Sequence, residues 1–154
     1  MKPASLALLG LAALTLSACE RGPQHMAANG KICVDFKAAK APASGAPGAD
    51  GATAVDQCVQ RWAYSLAPSH DEAGAVAEAA AAACSTHLSR WNQASLSQPG
   101  AEGEAASLIT GQPTTPLAEH NAFTQSRALF YVVQARAGNC APPNVVNGVP
   151  EGVG

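Results

Sequence analysis

Cys84 and His87 have the residue types and the spacing to do chemistry together, lying three apart in a stretch of helical character. On a helix that separation puts both side chains on one face. An imidazole beside a thiol can hold it as thiolate, the form that attacks electrophiles and binds soft metals. The competing reading is a half-cystine next to a histidine at the edge of a core, and it is the simpler one. His25, His70 and His120 are scattered without ligand spacing, so a metal assignment is none, with Cys84 and His87 as its only candidates. Neither Cys-x-x-Cys nor Cys-x-x-Cys-His occurs, so no thioredoxin-type motif and no covalent haem are indicated.

Other chemistry is thinner still. Glu119, His120 and Asn121 sit together, but a general base needs a partner acid and a pocket, and a solvated or capping cluster explains them as well. Gly45, Gly48 and Gly51 fall in a Pro-rich stretch rather than between strand and helix, so they do not form a phosphate-cradling loop. No Gly-x-Ser-x-Gly is present. The catalytic assignment is none, and no cofactor is implied.

The elements that would position these residues read as follows. "TAVDQCVQRWAYSLA" carries Val55, Cys58, Val59, Trp62 and Leu66 at helical spacing, with Thr53 and Asp56 as a capping box. Pro68 ends it, and Ser69 with Glu72 caps a second helix. Its stripe runs through Ala73, Val76, Ala77, Ala80, Cys84, Leu88 and Trp91, so one unbroken helix is expected, folded back on the first as an αα-hairpin. Five alanines from Ala79 to Ala83 give it a smooth surface that a neighbour can approach closely, with Trp62 a natural knob. Trp62 and Trp91 are expected inside and Tyr64, two positions from Trp62, outside.

A third helix starts at Thr115-Pro116 and stops near Gly138, with Ala122, Phe123, Ser126, Leu129, Phe130, Val133 and Ala137 as its expected buried face. Glu119, Arg127, Gln134 and Arg136 fall elsewhere on it. "KICVDFK" alternates and suggests a short strand; residues 38–52 read as an Ala/Pro/Gly linker, and 93–115 as a long connection with at most one short helix ending at Gly111. Residues 141–154 show no periodicity and read as an irregular tail. The expected fold is mainly α: a small three-helix domain over 31–140, stapled by disulfides, with irregular N- and C-terminal segments.

The N-terminus is of another kind. Met1, Lys2 and Pro3 precede an apolar core from Leu6 to Leu16, about half the roughly 20 residues a span needs. That is the pattern of a secretory signal. It closes on Leu16-Ser17-Ala18-Cys19, a branched apolar residue, two small residues and a cysteine. This run resembles the lipobox of bacterial lipoproteins, a resemblance confined to the signal segment. It implies a signal peptide over 1–18, cleavage before Cys19, and acyl chains (palmitate-type) on Cys19. It also implies a membrane partner through that lipid, and residues 19–30 read as a flexible tether. Each buried methylene contributes about 0.8 kcal/mol, so two or three chains anchor firmly. Glu20 is not the aspartate that retains such proteins in the inner membrane of enteric-type bacteria, which favours the periplasmic face of the outer membrane.

Removing 18 of 154 residues leaves 136, one domain with tethers. Lys2 is the only charge removed, so 8 basic and 11 acidic residues remain, net −3. With no basic patch, nucleic acid is an unexpected partner. Aromatics are only 5%, so the core is thin, and thin cores in exported domains lean on disulfides. After Cys19, four cysteines remain: Cys33, Cys58, Cys84 and Cys140. With the hairpin turn at Pro68, Cys58 lies level with residue 79 and Cys84 about 7.5 Å further along. Cys58–Cys84 is then the least comfortable pair, and pairing each helix cysteine with Cys33 or Cys140 fits better; which goes with which stays open.

The functional expectation is a cell-envelope lipoprotein that is not an enzyme and that binds another envelope protein or serves a structural role. The alternatives are a periplasmic thiol- or metal-handling protein using Cys84 and His87, or a small-ligand carrier. The carrier would have a cavity lined by Trp62, Trp91 and Phe130.

Overall fold

A computed structural model describes residues 30–37, 51–98, 105–107 and 110–153. The signal segment, the lipobox with Cys19, the tether up to residue 29 and the linker over 38–50 lie outside the described residues. Among those described, there are four α-helices and not three: α1 (Gly51–Leu66), α2 (Ala73–Ala83), α3 (Ser85–Leu96) and α4 (Pro116–Gly138). None is long and apolar enough to cross a membrane.

The extra helix arises at Cys84. The stripe from Ala73 to Trp91 does face the core throughout, but the helix carrying it breaks at this residue, whose ψ of 11° leaves the helical range. Its N–H turns back to the Ala81 carbonyl, while its own carbonyl starts α3 by accepting from His87 and Leu88. A half-cystine bonded sideways to α1 therefore sits where one helix hands over to the next.

The hairpin register also differs from expectation, and the turn is the reason. Ser69 and Glu72 form no capping box; α2 starts at Ala73, with Glu72 at its N-cap and no side-chain cap bond. The turn thus takes six residues, 67–72, and its carbonyls are held by one arginine from α4. Arg136 donates to the Ala67, Ser69 and Asp71 carbonyls at 2.9, 3.0 and 2.9 Å. The longer turn moves the register towards Cys84, which is bonded to Cys58 with Cα atoms 5.8 Å apart. Seven residues on in each direction, Gly51 meets Trp91, so closely that a Cβ at 51 would lie 2.3 Å from the indole Cδ1. The α2–α3 arm therefore runs back along the whole of α1. The pair judged least comfortable is formed, and Cys33 pairs with Cys140 (Cα–Cα 5.4 Å).

Helix α1 is the central element. It packs on α2, α3 and α4 and touches the C-terminal segment as well. An element covered on several sides buries more than one stripe, which is why Tyr64, expected outside, is fully buried. Its Oη accepts from the Val34 N–H at 3.3 Å and donates to Gln134 Oε1 at 2.9 Å. Trp62, expected inside, is only half-buried at the core's edge.

Helix α4 begins as expected, with Thr115 Oγ1 accepting from the Ala118 N–H and Pro116 in the first turn. It runs through Gly138 and is capped by Asn139 in the left-handed conformation. Its inner face, however, is His120, Thr124, Ala128, Tyr131, Val132 and Ala135. The expected face, with Leu129, Phe130 and Val133, points outward; Phe130 is 50% exposed. The physical reason lies in α2, whose buried residues are Val76 and the alanines 77, 80 and 81. A flat alanine surface pairs best with small residues on its partner, and Thr124, Ala128 and Ala135 supply them. No strand forms at "KICVDFK": Gly30–Ile32 is a 3-10 turn, and Val34 and Phe36 lie half-buried against the core. In the long connection, Ala105–Ala106 (β1) pairs antiparallel with Pro113–Thr114 (β2). The tail forms a hairpin, Val145–Val146 (β3) against Val149–Pro150 (β4), turning on Asn147 and Gly148 at φ 51° and 80°.

Candidate functional site

The sequence-selected pair does not form a reactive site. Cys84 is fully buried and bonded to Cys58, so it carries no thiol. His87 is half-buried, and burial, aided by Arg90, pushes its pKa below the ordinary histidine value. Among the described residues no group of three His, Cys, Asp or Glu could hold a metal ion. His120 is engaged structurally. Its Nδ1 lies 2.7 Å from Asn92 Oδ1, and its ring stacks on Trp91 at 3.6 Å between centroids. Burial lowers its pKa. Asn121 is exposed beside it and Glu119 half-buried.

A second polar cluster fastens α1 to α4. Arg127 Nε donates to Asp56 Oδ1 at 2.5 Å, Tyr131 Oη donates to Asp56 Oδ2 at 2.8 Å, and Arg127 Nη2 donates to Tyr131 Oη. Burial and then the Asp56 carboxylate push the Tyr131 phenol up to about 12. A phenol so held keeps its proton and serves as a donor, not as a base. Of the residues expected to line a carrier cavity, Phe130 lies on the outer face of α4, and Trp62 and Trp91 are half-buried at the edge of the core.

A cleft of about 650 Å³ opens elsewhere, between residues 34–37 and the C-terminal segment 141–152. Its size lies within the roughly 300–1,000 Å³ typical of small-molecule sites. The Cys33–Cys140 disulfide ties its two walls together at their roots. Val34, Phe36, Pro142 and Pro143 supply apolar lining, Lys37, Asp35 and Glu151 supply charge, and Arg61 comes up from α1.

Arg61 is the unusual member. It is 6% exposed, and its Nε is buried with no hydrogen-bond partner. An unpaired buried donor costs about 1–3 kcal/mol, more when charged. Its surroundings occupy the faces of the guanidinium instead. The Phe36 ring centroid lies 5.2 Å from Cζ, and that ring is braced edge-on by Tyr64 at 5.1 Å. Gly152, at φ 83°, lies over the group as well. A Cβ there would be 2.9 Å from Cζ and 3.0 Å from Nε and Nη2, near-equal distances that put it above the plane. Any larger residue would push the arginine away. With Phe36 and Gly152 against it, the group is left to meet a partner through its N–H fork, the geometry that suits a planar anion.

Arg61, Phe36 and the walls of this cleft are what sequence reasoning missed. Arg61 reads as a helix-surface charge, and its place three residues before Tyr64, itself expected outside, gave no signal to the contrary. Asn147-Gly148 between valines was a hairpin signal in the tail. No family model matches the chain, and no curated protein or solved structure is similar to it.

Proposed function

We propose that this chain is a lipid-anchored envelope protein whose helical domain binds a ligand without catalysis. The observation that supports export and anchoring is the cysteine pairing. Four of five cysteines pair with one another, which suits an oxidising compartment and leaves Cys19, at the end of the lipobox-like run, outside the pairing. Binding is supported by the cleft around Arg61, which has a charged anchor and apolar walls. With Cys84 in a disulfide, the thiol-chemistry alternative loses its nucleophile.

The test of the anchor is metabolic labelling. Cells expressing the full chain and supplied with a tagged palmitate should label the protein, and Cys19→Ala should abolish the label and release the domain from the membrane fraction. Label that persists in Cys19→Ala would overturn the anchoring half of this reading.

A further inference from the structure

We propose that the cleft at Arg61 binds a carboxylate carried on an apolar body, an inference that rests on the binding role just described. Three features of the site converge on this chemistry. The first is Arg61 itself, a cleft-lining residue more than nine-tenths buried whose Nε has no hydrogen-bond partner within the chain. A carboxylate is planar, accepts from two donors of that fork at once, and restores the hydrogen bonding the folded chain leaves open.

The second is the charge of the walls. Lys37 and Arg61 are balanced by Asp35 and Glu151 in the same lining. A monoanion can enter such a neutral setting, whereas a phosphate dianion would meet two carboxylates with more charge than the cations offset. Glu151 is itself positioned, accepting from Asn144 Nδ2 at 3.1 Å.

The third is the lining. Val34, Phe36, Pro142 and Pro143 offer apolar and flat surface beside the charge, so the part of the ligand next to its carboxylate is apolar. Both walls are fixed, one by Val34 on the Tyr64 hydroxyl and the other by the β3–β4 hairpin, and the disulfide joins them. A preformed site of this kind spends little of its binding energy on ordering.

A free carboxylic acid and the terminal carboxylate of a peptide share this chemistry, and the experiment separates them. The full-length chain, purified in non-ionic detergent, is titrated with four probes. These are 3-phenylpropionate, its primary amide, and acetyl-Ala-Ala-Phe with a free or an amidated terminus. Binding is followed by calorimetry and by the amide NMR signals of residues 34–37 and 144–152. Each acid is expected to bind at least tenfold more tightly than its amide, and Arg61→Gln to erase that preference. A tripeptide acid binding tenfold more tightly than 3-phenylpropionate identifies a chain terminus as the ligand; equal affinities identify a small acid.

If acids and amides bind alike, or if inorganic phosphate displaces 3-phenylpropionate at lower concentration than the acid itself binds, the carboxylate assignment is wrong while the binding role stands. If no probe moves the cleft signals, the binding role fails with it. The acid–amide comparison on the unaltered chain decides the matter even where Arg61→Gln fails to fold.

Discussion

Removing the Cys58–Cys84 bond in the double variant Cys58→Ala/Cys84→Ala should cost more than any other pair of substitutions in the helical arm. The bond closes 26 residues. The chain-entropy rule then assigns it roughly 3.5 kcal/mol at 25 °C. Both half-cystines are buried in the core, so truncating them also leaves small voids worth about 1 kcal/mol together. The expected loss is about 4–5 kcal/mol, against a total of roughly 5–15 kcal/mol for an ordinary domain. The assay is equilibrium urea unfolding of wild type and variant, followed by far-ultraviolet circular dichroism. With a slope of about 1–2 kcal/mol/M, the midpoint should fall by about 2–5 M, or the variant should be unfolded without urea. A loss below about 1 kcal/mol would refute the reasoning. It would mean that packing alone sets the register of α2 and α3 on α1, and that the bond constrains little in the unfolded chain. The Cys33–Cys140 bond makes an instructive contrast. It spans 107 residues, but it ties the cleft walls rather than the helices, so its removal should open the cleft before it reaches the helical core.

Two further predictions concern titration. The chain has two tyrosines, Tyr64 and Tyr131, and burial raises both, Tyr131 to about 12. Absorbance at 295 nm should therefore show less phenolate at pH 10 in the folded protein than in the unfolded chain. Because the folded state keeps these protons longer than the unfolded chain, stability is complete below pH 10 and falls as pH rises from there towards 12; a phenol titrating reversibly near 10 would contradict the Asp56–Arg127–Tyr131 geometry. His120, and His87 with the same sign, are lowered by burial. The unfolded chain then binds protons first, so stability is complete above about pH 6.5 and declines as pH falls below it. Urea midpoints between pH 7.5 and 5 should show this slope, and His120→Gln should flatten it; an unchanged slope would remove His120 from the account.

What the sequence made legible was chiefly the placement of apolar stripes. The stripe from Ala73 to Trp91 and the Thr115-Pro116 start of α4 could be read directly, because spacing and capping are local properties. The handover at Cys84 could not, because a disulfide to another helix imposes it. The inner face of α4 went the other way from its largest side chains. Size alone does not set which face is buried: α4 buries Thr124, Ala128 and Ala135, and α2 buries alanines, a pair of small-residue faces that lets the two helices approach closely, while Leu129 and Phe130 stay exposed.

The same limit hid the candidate site, and three arginines show why. Arg61, Arg127 and Arg136 all read as surface charges, yet each reaches across the fold: to the cleft, to Asp56, and to the carbonyls of the α1–α2 turn. A long side chain can bury its stem and deliver its charge some distance from its own backbone, so its position on a helical wheel says little about where the guanidinium ends. Arg127 and Arg136 find their acceptors within the chain. Arg61 reaches just as far, with its Nε left unpaired beside a cleft. Since the same kind of residue elsewhere in this fold is hydrogen-bonded by protein groups, the unmet donor at Arg61 is better explained by a partner from outside the chain than by a loose interior.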